Sequence, residues 1–245
     1  MEVLFGIHAV EQALKSQGRA FEYVAFLKGR ADARVQRLIN RCRESGVPTR
    51  FESKDQLQRL AKSAAHQGVV AVAAARQYLE MEDVLAAKRS EKHFVLVIDG
   101  VEDPHNLGAI LRTADAAGAD GVLIPERRAV GVTPTVIKAS AGAAEWVAVA
   151  KITNVNRTLD ELKKKGVWIV GMDERAEMAY DDVDYCTDFA LVLGGEGKGL
   201  HAKVREHCDF LISVPMTGKV PSLNVSVAAA VVMYEAARQR RTKGV

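Results

Sequence analysis

Near the carboxyl end, Leu211-Ile-Ser-Val-Pro-Met-Thr-Gly-Lys-Val-Pro-Ser-Leu-Asn-Val-Ser-Val-Ala-Ala-Ala-Val-Val-Met-Tyr234 restricts the fold more than any other stretch of the chain. β-Branched Ile212 and Val214 lie in a short apolar run that reads as a buried strand, and Pro215 ends it because proline cannot donate to a strand ladder. A loop rich in Gly and Pro follows. Ser222 or Asn224 then supplies a helix cap, and from Val225 to Ala237 the helix is apolar on every face, which predicts burial all round. In α/β proteins ligands collect at the carboxyl ends of the strands. Polar Ser222, Asn224 and Ser226 sit where this strand gives way to its helix, so they are site candidates, although such a loop standing alone needs them only as caps.

The chain has 245 residues, 48% of them apolar, enough for one large domain or two smaller ones. No apolar run approaches the roughly 18–20 residues that span a bilayer, and Met1 to Val10 lacks the basic start and apolar core of a signal peptide. The expectation is a cytoplasmic protein with no membrane partner. Cys42, Cys186 and Cys208 are odd in number and far apart, which fits free thiols in a reducing compartment and gives no zinc-ligand spacing. His201, His207 and Cys208 are close in sequence but read as a solvated helix face, and no metal is expected. Residues 1–76 carry 13 Lys and Arg against 7 Asp and Glu, or +6, leaving 21 against 24, or −3, for the remainder. That asymmetry points to a polyanion as the partner of the first part.

Taken in order, Phe5-Gly-Ile-His-Ala-Val10 leads into a helix, Phe21 to Leu27 reads as a strand and Ala31 to Glu44 as a helix ending at Gly46. Arg30, Arg34, Arg37 and Arg41 recur at spacings of three and four, which places them on one side where they could track a phosphate backbone. A strand near Thr49 to Phe51, a helix after Ser53 and a strand from Val69 to Ala73, preceded by His66-Gln67-Gly68, complete a small unit. Between Arg76 and His93 neither apolar period is strong, so a linker is expected there. Phe94-Val-Leu-Val-Ile-Asp-Gly100 opens the second part as a buried strand. Asn106 is a plausible helix cap after it, Gly118 a plausible stop and Gly121 to Ile124 the returning strand. Further alternation follows, with Thr133 to Ala144 helical, Trp146 to Ala150 extended, Asn156 to Lys165 helical and Val167 to Gly171 extended. Such a pattern calls for a mostly parallel sheet covered by helices on both faces.

Phe189 to Leu193 is the next buried strand, and Gly194-Gly-Glu-Gly-Lys-Gly199 comes directly after it. Without a Cβ, such residues bring backbone N–H groups close to a ligand. The run is not G-x-G-x-x-G, because Leu200 takes the third glycine's place, and no G-K-[ST] ends it as in a P-loop. Dinucleotide and nucleoside-triphosphate folds also place these motifs in the first βα turn, not one strand before the end.

Three stretches together are more specific than any one: Asp99 to Gly118, Leu191 to Leu200 and Ile212 to Val227. In residue content, order and spacing they resemble the three motifs of the SpoU/TrmH family of RNA ribose 2′-O-methyltransferases. Phe5 to Val10 and His66 to Val69 resemble the small RNA-binding domain of the family members that methylate a guanosine of 23S ribosomal RNA. The resemblance implies an RNA-binding domain over 1–76, a small α/β unit resembling ribosomal protein L30e, a linker over 77–92 and a catalytic domain over 93–245. It further implies S-adenosylmethionine as methyl donor, held where the second and third motif loops meet in a deep trefoil knot, and a homodimer acting on 23S ribosomal RNA rather than DNA. Knots are too rare for periodicity to suggest one. Carried across position by position, the cofactor loops are Gly194, Gly195, Glu196, Gly197 and Gly199, then Val214, Met216, Leu223 and Asn224. Asn106, Arg112, Glu196, Ser222 and Asn224 fall on the family's active-site positions.

Methyl transfer from a sulfonium to a ribose hydroxyl is an in-line displacement, so the protein must mainly align two reactants and ease loss of the hydroxyl proton. The resemblance puts Arg112 at the base, yet a guanidinium stays protonated. Arg112 therefore fits better as a ligand of the target phosphate and of the developing alkoxide, with the proton's destination open. Glu196 and Asn224 would order the loops and the ribose. Two other readings stay open: a sister enzyme acting on transfer RNA, and a catalytically idle RNA-binding protein.

Overall fold

The computed structural model describes residues 1–30, 32–197 and 199–245. Ala31, where the basic helix is expected to start, and Lys198, inside the glycine run, lie outside the described residues. The chain divides into two compact units, Met1–Gln77 with Val132–Trp146, and Tyr78–Gly131 with Val147–Val245.

In the first unit β1 (Glu2–Phe5), β2 (Phe21–Leu27), β3 (Thr49–Glu52) and β4 (Val69–Ala73) form a mixed sheet in the order β1-β4-β2-β3. β4 runs antiparallel to both neighbours, while β2 and β3 are parallel. Strand alternation sends Tyr23, Ala25, Val70 and Val72 to one side, where they pack with Leu57 and Ala61 of α3 (Lys54–Ala61). α1 (Ile7–Ser16) and α2 (Ala33–Glu44) pack on each other.

The segment Val132–Trp146 completes this unit, which differs from the expected boundary. Its α6 (Pro134–Ala139) packs on β1, and its Glu145 carboxylate accepts a 2.9 Å hydrogen bond from Nε of buried Arg19. Arg19 also binds Glu2, and Trp146 Nε1 donates to Gln12 Oε1 at 2.9 Å. The expected helix from Thr133 to Ala144 is broken because Ala141 and Gly142 both take left-handed backbone (φ 53° and 88°), after which Ala143–Glu145 forms a single 3₁₀ turn. A Cβ on Gly142 would lie 2.5 Å from the Cβ of Gln12, so only glycine allows this approach.

The second unit holds a seven-stranded, wholly parallel sheet in the order β7-β6-β5-β10-β8-β11-β9. Its strands are β5 (Phe94–Asp99), β6 (Gly121–Pro125), β7 (Ala148–Ile152), β8 (Trp168–Met172), β9 (Met178–Ala179), β10 (Phe189–Gly194) and β11 (Phe210–Ser213). The central strands β5 and β10 are buried throughout, which is why they read as continuous apolar runs. Val95, Val97, Ala190 and Val192 enter a core with residues of α7 (Val155–Lys164) and α8 (Ala202–Glu206), including Leu159, Leu162 and Val204. Alternation leaves the opposite side for α5 (Pro104–Ala117) and α9 (Val225–Lys243), which pack on each other.

Two expectations change here. Residues 78–92 are not free linker: α4 (Met81–Ala86) buries Met81 and Val84 against the β6–β7 edge, and Leu79 bridges to Ala150. The apolar signal was only two turns long, too short to stand out as a period. α9 is likewise only partly covered by its own chain. Ala229, Val232, Met233 and Ala236 are buried, whereas Val227 and Tyr234 are 49% and 56% exposed.

Candidate active site

Three loops at the carboxyl ends of β10, β11 and β8 enclose a cavity of about 560 Å³. The first is the glycine run. Gly195 and Gly199 exchange backbone hydrogen bonds of 3.1 and 3.0 Å, which join the two ends of the run. A Cβ on Gly194 would collide with the Gly199 carbonyl group, and one on Gly195 would lie 2.5 Å from the Gly100 carbonyl oxygen. Gly197 and Gly199 adopt φ of 72° and 64°, open to glycine at little cost. Gly194, Gly195, Glu196, Gly197 and Gly199 all line the cavity, as do Val214 and Met216 after β11 and Ser222, Leu223 and Asn224 before α9.

Asn106 and Asn224 have structural tasks that decide where their amides point. Asp103, not Asn106, caps α5, accepting from the His105 N–H at 2.9 Å, and Pro104 occupies the first helical position. Asn106 thus falls within the first turn, 8% exposed. Its amide nitrogen donates to Glu196, and its amide oxygen accepts from Asn224 Nδ2 at 3.0 Å. Asn224 is the cap of α9, with its oxygen accepting from the N–H and the hydroxyl of Ser226 at 2.9 and 2.7 Å. One residue from each motif stretch therefore joins a single chain of hydrogen bonds, Asn224 to Asn106 to Glu196, along the cavity wall. Each amide is used as donor and acceptor together, so the link fixes orientation as well as position.

Arg112 is not brought into this group. It is exposed on α5, outside the cavity lining. Of the four arginines expected on one helix face, Arg34 and Arg37 are exposed on α2 and Arg41 is half-buried there. Arg30 departs from them, because Asp32 caps α2 and the Arg30 guanidinium turns back onto the Asp32 carboxylate and the Gln67 carbonyl.

Other cavity residues carried no motif. Asp173, 5% exposed, accepts from Arg175 Nε at 3.1 Å and pairs with Arg205 at 3.0 Å; it and Arg175 form the third wall. Burial pushes the Asp173 carboxyl upward, but the Arg175 hydrogen bonds and the Arg205 charge outweigh it, and the group lies below the usual carboxylate range. A lone Asp after a strand gave no pattern to read. His201 also departs from expectation. Its N–H and Nδ1 both meet the carboxylate of buried Asp99 at 2.8 Å, which ties the exit of the glycine run to the end of β5. Cys208 donates to the Val204 carbonyl, and burial raises its pKa to about 12. Among the described residues no three His, Cys, Asp or Glu side chains gather as a metal site.

Residues 93–234 match the SpoU rRNA methylase family, and residues 3–79 match the RNA 2′-O ribose methyltransferase substrate-binding domain. The chain belongs to the SpoU rRNA methylase family. Among SpoU relatives, the 23S rRNA (guanosine-2′-O-)-methyltransferase RlmB of Shewanella oneidensis is 43% identical over 244 residues, covering 98% of each chain. RlmB of Escherichia coli K12 is 42% identical over 242 residues, 98% of this chain and 99% of that one. YacO of Bacillus subtilis, described as a TrmH family tRNA/rRNA methyltransferase, is 44% identical over 245 residues, 99% and 98% of the two chains. The crystal structure of an RNA 2′-O ribose methyltransferase superposes with a TM-score of 0.80 at 30% identity, covering 98% of this chain and 88% of that one. AviRb of Streptomyces viridochromogenes, solved with AdoMet, shares the fold at a TM-score of 0.81 and 24% identity, over 98% and 90% of the chains.

Proposed function

We propose that this SpoU-family chain transfers a methyl group from S-adenosylmethionine to the ribose 2′-hydroxyl of a guanosine in 23S ribosomal RNA, during ribosome biogenesis in the cytoplasm. The observation that carries the reading is the Asn224–Asn106–Glu196 link, which gathers three separated stretches at one cavity wall. The cavity suits the cofactor: Ile212, Val214, Met216 and Leu223 offer an apolar bed for a nucleoside and thioether, and glycine at 194 and 195 lets the cavity wall close against backbone that a Cβ would strike. When bound, S-adenosylmethionine supplies an electrophilic methyl on a positively charged sulfur.

The chain's own residues then have three tasks. The loops Gly194–Gly199 and Val214–Met216 hold the nucleoside, Glu196 sets its negative charge at the edge of the cavity, and Asn106 and Asn224 keep that carboxylate and the start of α9 in register. Alignment of this kind supplies much of the rate of an in-line displacement. Arg112 holds the target phosphate through its guanidinium fork and favours the developing alkoxide. The first unit, with Arg34, Arg37 and Arg41 on α2, binds the RNA backbone. The chain from β10 to α9 forms the trefoil knot, a reading supported by the return of α9 from β11 to pack on α5. The exposed Val227 and Tyr234 on α9 support a homodimer closed through that helix.

Mapping 2′-O-methyl groups on ribosomal RNA from a strain lacking this gene, with and without the gene restored, tests the proposal. Loss of one 23S guanosine methyl that returns on complementation is the expected result. A lost methyl on transfer RNA instead, or no change despite S-adenosylmethionine binding, would replace it by one of the two other readings.

A further inference from the structure

The cofactor cavity occupies the carboxyl ends of β10, β8 and β11, and the end of β5 supports it through Asp99 and Asn106, which leaves the ends of β6 and β7 without a task. Residues 126–131 follow β6 there. The loop is tied down at both ends: the Glu126 N–H donates to the Ile152 carbonyl at the end of β7, and the Val130 N–H donates to Val101 after β5, each at 3.0 Å. Val101 belongs to the same loop that leads into Asn106. Between the ties stand Arg127 and Arg128, both exposed.

Apart from Arg112 and Arg241, which are exposed, arginines elsewhere in this unit are engaged. Arg89, Arg157, Arg175, Arg205 and Arg238 pair with carboxylates, and Arg240 binds backbone carbonyls. Arg127 and Arg128 have no such partner among the described residues. Arg128 also holds a left-handed backbone, φ 61°, which a glycine would adopt more easily, so the side chain stays at a position whose geometry disfavours it. Lys151, at the end of β7, adds a third cation 4.4 Å above the Tyr78 ring. Glu126 and Glu102 flank the patch, so no broad positive field develops, and anions are held through individual guanidinium forks.

We infer that this loop is a second RNA contact, in which Arg127 and Arg128 grip phosphates flanking the target nucleotide and hold its ribose at the Asn106 end of the cavity. The inference rests on the RNA methyltransferase reading above. Affinity from the first unit and local grip from this loop would then be separable, because each phosphate contact contributes its own share of salt dependence.

The test uses the full chain with unmodified 23S ribosomal RNA transcribed in vitro. The variants are Arg127→Ser, Arg127→Ser with Arg128→Gly, and a charge-matched control, Lys164→Ser with Lys165→Ser, at the opposite, amino edge of the sheet. The double arginine variant should lose RNA affinity several-fold, and its plot of log affinity against log salt should flatten by about 1.4–1.8, at roughly 0.7–0.9 per phosphate. Arg127→Ser alone should show about half that change. KM for RNA should rise with kcat little altered, while S-adenosylmethionine affinity and melting temperature match the wild type. Wild-type affinity and slope in both arginine variants, or an equal loss in the lysine control, would overturn the inference. If the wild type binds RNA yet transfers no methyl, the functional reading falls and the binding comparison still decides the loop; if it binds no RNA, both fall.

Discussion

Replacing Arg240 with Met should destabilise the second unit more than any substitution at the cavity. Arg240 is 6% exposed and, among the described residues, faces no carboxylate within hydrogen-bonding distance. Its Nε donates to the Tyr185 carbonyl at 2.9 Å, Nη1 to Lys92 at 2.8 Å and Ser90 Oγ at 3.0 Å, and Nη2 to His93 at 2.7 Å and Thr187 at 3.0 Å. The guanidinium also lies 5.5 and 5.2 Å from the Phe94 and Phe189 ring centres. Burial draws its pKa below the usual arginine range, with the Asp120 charge opposing. Each hydrogen bond from a charged donor contributes about 1.5–3 kcal/mol, but desolvation of the cation offsets a large part. A net loss of about 3–5 kcal/mol follows for Met, which fills the space but takes one donor from each of four carbonyls before β5 and β10; those of Lys92 and His93 keep Ser90 Oγ and the Phe189 N–H, while those of Tyr185 and Thr187 lose their partner. For a unit of this size that corresponds to a melting temperature lower by roughly 6–20 °C. Urea unfolding followed by circular dichroism gives the difference directly, and Arg240→Lys should fall between the two. A loss under about 1 kcal/mol would mean that water satisfies those carbonyls and that the argument from buried acceptors is wrong.

Asn224→Ala or Glu196→Ala should lower methyl transfer about a hundredfold, the scale set by misplacing reactants by about 1 Å, and undiminished turnover in both would remove them from the site. Arg112→Ala should abolish transfer with cofactor affinity and melting temperature intact, and Lys should rescue little because it lacks the planar fork; a collapse in melting temperature would make it structural. A chain beginning near Lys92 should be poorly soluble by size-exclusion chromatography, because it loses α4 and strips the partners of Val136, Ile137 and Ala144; a monodisperse, folded product would refute this. Asp173 is held below its unfolded pKa, so its contribution is complete above about pH 4 and lost as pH falls through the folded value; Asp173→Asn should flatten the acid limb of a stability–pH profile.

How much of this was legible depended on whether a feature is local. β5 and β10 are buried on both faces, so their sequences are unbroken apolar runs and could be placed from composition alone. The glycine run announced a close backbone approach, and Gly194 and Gly195 stand where a Cβ would strike neighbouring backbone. Asn106 was misplaced as a cap because the stronger signal, Asp103 followed by Pro104, stood three residues earlier. α9 shows the limit of periodicity: apolar residues on all sides say that each face avoids water, but not whether the cover comes from the same chain. Arg240 was invisible for another reason. Its partners are carbonyl oxygens, which every residue carries, so no residue type marks them.

Because the first unit needs Val132–Trp146 as well as Met1–Gln77, its folding on the ribosome cannot end when residue 77 emerges. About 68 further residues must be made before Arg19 meets Glu145, a delay of roughly 3–14 s at synthesis rates of about 5–20 residues per second. Throughout that interval the β1 surface that later receives α6 lies bare, and a buried-to-be arginine has Glu2 and the Ala74 carbonyl but not yet Glu145. The nascent chain is therefore most open to chaperones, and to faulty pairing with neighbours on the same message, in the middle of its synthesis rather than at its end. Grafting the first unit onto another enzyme would meet the same constraint, since a single cut at residue 77 transfers an unfinished module.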